Sequence, residues 1–100
     1  MTPAKKRLVT EAVPKKRCRY CFSTDNLTYD HKTPIARGGK DDVSNIQVLC
    51  KVCNQTKSKL TNGEIFVVAR WLWQVNEKRA VVGKRPLAIT RKRYEGLKAA

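Results

Sequence analysis

Two Cys-x-x-Cys pairs, Cys18/Cys21 and Cys50/Cys53, constrain this chain more than any other feature. Each pair puts two sulfurs into one tight turn, and two such pairs make a good tetrahedral zinc site. Redox dithiols are the other chemistry open to Cys-x-x-Cys, but two matched pairs enclosing a motif favour zinc. The 28 residues between the pairs contain Tyr29-Asp30-His31-Lys32-Thr33-Pro34 and the chain's single histidine. One hundred residues suffice for one domain with a marginal core, so a structural metal would contribute substantially to folding.

Charge narrows the partners. There are 22 Lys and Arg against 8 Asp and Glu, a formal charge of +14. That balance favours a polyanion, most simply nucleic acid. Residues 1–19 hold seven basic residues and one acid, and residues 81–100 hold six and one. No apolar run is long enough to span a bilayer, and no apolar stretch of a secretory signal follows the basic start. The expectation is a cytoplasmic protein with no membrane partner, in a reducing compartment where paired cysteines serve metals or redox chemistry.

The chain divides into four stretches. Residues 1–17 read as a basic flexible arm, because Pro3 and Pro14 discourage a helix through Lys5-Lys6-Arg7 and Lys15-Lys16-Arg17. The arm is either a solubilising tail or a phosphate contact. Residues 18–60 read as the core. A cysteine knuckle leads into a short strand at Leu27, Thr28 and Tyr29. Pro34 and Gly38-Gly39 predict a loop over 32–45. A second strand follows at Ile46, Val48 and Leu49, then a short helix from Cys50 to Lys59. On that helix Cys50 and Cys53 share one face, and Asn54 and Lys57 share another.

Thr61-Asn62-Gly63-Glu64 has the spacing of a capping box and predicts a helix over 61–82. Its apolar stripe is Ile65, Val68, Leu72 and Val75, widened by Phe66, Val67, Trp71 and Trp73. The stripe is expected to pack on the zinc module; a dimer surface at Trp71 and Trp73 is the alternative. Gly83 and Pro86 end the helix. Residues 83–100 read as a basic tail, either frayed or forming a short helix with Thr90 as its N-cap.

Cys18-x-x-Cys21, Asp30-His31-x-x-Pro34, Gly38-Gly39, Asn45, Leu49-Cys50-x-x-Cys53-Asn54 and Lys57 resemble the HNH endonuclease motif in its zinc-stapled form. The resemblance covers about residues 18–60. It implies an α+β chain with the small ββα-metal (His-Me finger) fold, here carrying a structural zinc and a C-terminal helical extension. It also implies hydrolysis of DNA, expected to be double-stranded, to 5′-phosphate and 3′-hydroxyl. By resemblance His31 is the general base, Asp30 and Asn54 hold a catalytic divalent ion, and Asn45 orients His31 by bridging the loop backbone. Asn54 stands where many relatives carry histidine, an H-N-N variant that favours Mg²⁺ or Mn²⁺ over softer metals. Free-standing domains of this kind resemble those of phages and mobile elements, so a bacterial or phage-infected cell is the expected setting. A homodimer or a larger phage complex through the C-terminal helix is the associated expectation.

The residue types suit that chemistry independently. Phosphodiester hydrolysis needs an activated water and relief of charge on the phosphate. Neutral imidazole is a good base near pH 7. A carboxylate and an amide oxygen are hard ligands for Mg²⁺, which keeps its other positions for water and phosphate. Asp30 and His31 are adjacent and would face opposite ways on a regular strand, so a twist or bulge is expected to bring both to one site. Arg37 and Lys57 are candidate contacts to flanking phosphates, or else exposed surface cations. Asp41 and Asp42 read as solvated loop charges. The rival class is a non-catalytic zinc module that binds DNA or RNA through its basic ends, or an accessory subunit of a phage packaging complex.

Overall fold

A computed structural model describes residues 3–99. Helix α1 spans Pro3–Ala12, strand β1 Leu27–His31, strand β2 Ile46–Cys50, helix α2 Lys51–Lys57, helix α3 Asn62–Val81 and helix α4 Arg91–Ala99. Short 3-10 turns at Ile35–Arg37 and Val43–Asn45 punctuate the loop between the strands. β1 and β2 pair antiparallel, with Leu27 opposite Cys50, Asp30 opposite Gln47 and His31 opposite Ile46. This two-strand sheet followed directly by α2 is the expected α+β, ββα arrangement. No helix among the described residues is long and apolar enough to cross a membrane.

All five residues of β2 are buried, because the sheet is covered on both faces. Leu49, Ile65, Val68, Leu72 and Ile89 form one apolar cluster with the four cysteines. The loop between the strands turns at Gly38-Gly39. Gly38 sits at φ 88°, and a Cβ on Gly39 would lie 1.9 Å from the carbonyl oxygen of Thr33. Both positions therefore require glycine.

The capping box forms as expected. Thr61 Oγ1 accepts from the Glu64 N–H at 3.1 Å, and the Glu64 carboxylate accepts from the Thr61 N–H at 3.0 Å. The bond from the Thr61 N–H holds the Glu64 carboxyl below its ordinary pKa, with Arg37 adding to the effect. The buried stripe of α3 ends on Asn76 rather than Val75, which is half-buried. Asn76 Nδ2 donates to the Cys21 and Leu87 carbonyls, and its Oδ1 accepts from the Leu87 N–H at 2.8 Å. A polar residue is buried there because every group it carries toward the chain is paired.

The N-terminal end departs from expectation, and at the C-terminal end one of the two expected alternatives forms. Pro3 and Pro14 bracket α1 rather than break it. Pro3 opens the helix, where an N–H would have no intrahelical acceptor, and Pro14 lies beyond its last residue. The arm is also attached: Val9 is buried, and Tyr29 Oη donates to the Val13 carbonyl at 2.8 Å. At the other end, residues 87–90 return across the four cysteines. The Ile89 N–H donates to Cys53 Sγ at 3.1 Å, and Thr56 Oγ1 donates to the Ile89 carbonyl at 2.9 Å. Thr90 Oγ1 accepts from the Arg93 N–H and starts α4, the short helix with Thr90 as N-cap that was one of the two expected alternatives.

Candidate active site

The four cysteines meet in the core. Their sulfurs all lie within 4.8 Å of one another, all four residues are buried, and none is in a disulfide. Cys21 Sγ and Cys50 Sγ are 3.7 Å apart. A tetrahedron built on Zn–S bonds of about 2.3 Å has edges of about 3.8 Å, so the donor set fits zinc. Local backbone sets the geometry. Phe22 takes a left-handed φ of 64° as the first knuckle turns, and Cys50 Sγ caps α2 by accepting from the Cys53 N–H at 3.4 Å. Contacts with the other three thiols push Cys18 far down and Cys53 far up in pKa. A cation bound here would offset the charge that four such closely packed sulfurs carry once ionised. Saturated by sulfur, such an ion has no open position for a substrate and is structural.

His31 ends β1, and the loop beyond it is fastened by Asn45. Asn45 Nδ2 donates to the carbonyls of Thr33 at 2.9 Å and Lys40 at 2.8 Å, and Oδ1 accepts from the Thr33 N–H at 3.0 Å. The backbone repeats the tie, with the Lys32 N–H donating to the Asn45 carbonyl at 2.7 Å. His31 Nε2 lies 3.1 Å from Asp41 Oδ1. An ionised carboxylate only accepts, so neutral His31 carries its proton on Nε2 and keeps its lone pair on Nδ1. Asp41 was expected to be a solvated loop charge. It reaches the imidazole because the Gly38-Gly39 turn folds the loop back.

Asp30 faces the other way. No bulge interrupts the five paired residues of β1, so the distortion expected to bring Asp30 and His31 together is not there. Asp30 Oδ2 accepts from Lys57 Nζ and Gln47 Nε2, both at 2.9 Å. Gln47 in turn donates to Asn62 Oδ1 at 2.8 Å and accepts from Asn62 Nδ2 at 2.8 Å. Tyr20 Oη also donates to Asn62 Oδ1, and burial raises its phenol well above the ordinary range, which keeps it a donor. Sequence reasoning missed this network. Gln47 sits where the strand's alternation directs it toward Asp30, which was the available signal.

Lys57 requires a correction. It is fully buried, and its Nζ donates to Asp30 Oδ2 and to the His31 carbonyl at 2.8 Å. It is therefore neither a phosphate contact nor a surface cation. One ammonium instead holds both residues of the Asp-His pair, one by its side chain and the other by its backbone. Removing one partner of a buried ion pair leaves the other charge unpaired. Lys57→Ala should cost about 3 kcal/mol or more of stability, read as a lowered midpoint in urea unfolding.

Asn54 stands one turn before Lys57 on the same helix. Its Nδ2 donates to Thr28 Oγ1 at 2.8 Å, which uses an N–H and leaves the amide Oδ1 as the lone-pair atom. Thr28 and Asp30 lie on one face of β1, so α2 sets Asn54 and Asp30 along the same interface. Among the described residues the contacts on Asp30 both fall on Oδ2, leaving Oδ1. A carboxylate oxygen and an amide oxygen fit a hard cation. Arg37 is half-exposed in its 3-10 turn, with Nη1 paired to Glu64 Oε1.

Comparison with protein families converges on the same span. Residues 18–60 match the HNH endonuclease family. The matched segment runs from Cys18 to the end of the turn after α2 and contains β1, β2, Asn45 and Asn54. An HNH segment implies nucleic-acid binding and a nuclease or nucleic-acid-related function. Neither the curated proteins nor the solved structures give a significant match to the chain.

Proposed function

We propose that this protein is a metal-dependent HNH endonuclease that hydrolyses phosphodiester bonds of DNA. His31 is the general base. The observation that carries this reading is the Asn45 clamp on the loop directly after His31, within a segment matching HNH endonucleases. A loop tied at Thr33 and Lys40 holds one imidazole orientation, and Asp41 on Nε2 leaves Nδ1 to take a proton from water. Asp30 and Asn54 would hold the catalytic cation through oxygen on the α2 side of β1; His31, the last residue of the strand, points the other way and would have to turn its side chain to meet a water beside that cation. When bound, Mg²⁺ or Mn²⁺ supplies charge relief on the phosphate and the leaving oxygen. Lys57 fixes the Asp30 carboxylate, and Gln47 donates to the same oxygen, so the ligand arrives pre-oriented. Arg37 is the phosphate contact retained in this reading, and duplex DNA is the proposed substrate.

The test is conversion of supercoiled plasmid to nicked or linear form by zinc-loaded protein, with and without added Mg²⁺. Cleavage that requires Mg²⁺ is expected. Binding without cleavage at any Mg²⁺ or Mn²⁺ concentration would mark a non-catalytic zinc module instead.

A further inference from the structure

Beside the proposed active site lies a groove of about 620 Å³. Three aromatic residues, Phe22, Phe66 and Trp73, and three arginines, Arg17, Arg19 and Arg70, line it, and among the described residues no acidic one does. The Phe22 and Trp73 rings meet edge to face at 6.1 Å, and the Arg17 guanidinium sits 4.9 Å from the Phe22 centroid. Phe66 and Trp73 are about half exposed on α3. Arg17 and Arg19 also border a second hollow that carries Lys16 and Lys32, so the two hollows share one basic edge.

We propose that this groove binds a single-stranded stretch of nucleic acid, with unpaired bases on the rings and phosphates on the arginine edge. Charge complementarity favours this occupant over a protein: cations without acids fit a polyanion. Rings interleaved with arginines are the means by which proteins hold single strands without reading sequence, because every base has a face to stack. A paired duplex hides those faces. The groove also communicates with the chemistry. Tyr20 and Asn62 line it, and both bond Gln47, the residue that holds Asp30 Oδ2. Buried Gln47 stands between the groove and that carboxylate, so the link runs through hydrogen bonds in the core. The inference deepens the nuclease reading by assigning an unpaired strand to this part of its surface.

The experiment uses the zinc-loaded 100-residue chain carrying His31→Ala, without added Mg²⁺, titrated with a labelled 12-nucleotide oligothymidylate and with a blunt duplex of equal length. Trp73→Ala and Phe66→Ala should each weaken oligothymidylate binding on the order of tenfold, the size of one lost base–aromatic stack. Trp73→Phe should restore most of it, and Val67→Ala, outside the groove on the same helix, should change nothing. Arg70→Ala should lower the salt slope of log K by about 0.7. Duplex affinity should move less than twofold in the ring variants.

Unchanged oligothymidylate affinity in both ring variants, with native circular dichroism, would overturn the proposal. So would a concentration-dependent dimer in sedimentation that Trp73→Ala abolishes while oligothymidylate binding persists, since the groove would then be a self-association surface. The nuclease reading is tested apart from this, on plasmid. Ring-dependent binding by a protein that cuts no plasmid would keep the groove and remove the nuclease. A protein that cuts plasmid but binds oligothymidylate independently of the rings would lose only the groove.

Discussion

Cys53→Ser should give a chain that retains no stoichiometric zinc and does not unfold cooperatively. The wild-type protein should hold one zinc per chain by elemental analysis and melt in a single sigmoidal step. Zinc binding to a site of this kind contributes about 10–16 kcal/mol, as much as the whole stability of an ordinary domain. Cys53 matters twice. Its sulfur completes the tetrahedron and also accepts from the Ile89 N–H, which anchors the returning C-terminal stretch in the core. Losing it should therefore release residues 87–90 as well as the metal. A zinc-free protein that melts cooperatively would refute the structural role.

His31→Ala should lower cleavage by roughly 10²–10⁴-fold, the usual size of a lost general base. DNA affinity should change little. The imidazole is neutral in the reacting form, while phosphate binding draws on the arginines and lysines around it. The variant should also fold normally. The His31 side chain is part-exposed, and the bond that Lys57 makes to residue 31 goes to its backbone carbonyl, which alanine keeps. Stability and activity thus separate cleanly at this position, unlike at Lys57, where a loss of activity would be confounded by a loss of fold.

Much of the framework was legible in the sequence because it rests on local rules. The capping box at Thr61 and Glu64, the glycine turn at residues 38 and 39, and the cysteine spacing each depend on a few neighbouring residues. Asn45 and His31 stood out through the same motif. What stayed hidden depends on contacts between distant segments. Lys57 at the end of a short helix reads as a surface cation until Asp30 is known to lie across from it. Asp41 reads as a loop charge until the turn brings it back to His31. The C-terminal return is carried by few apolar residues, Leu87, Ala88 and Ile89, and becomes visible only once Cys53 and Asn76 supply their partners. Pro3 and Pro14 were legible but read with the wrong position, since a proline that breaks a helix inside it can also open or follow one.

Metal-dependent hydrolysis with His31 as base is the activity proposed for this small domain. The most direct measurement is single-turnover cleavage of plasmid at equal, saturating DNA occupancy, wild type against His31→Ala, each with Mg²⁺. Nicking by the wild type is expected, with a rate lower by at least about 10²-fold in the variant. Equal rates for the two proteins would contradict it.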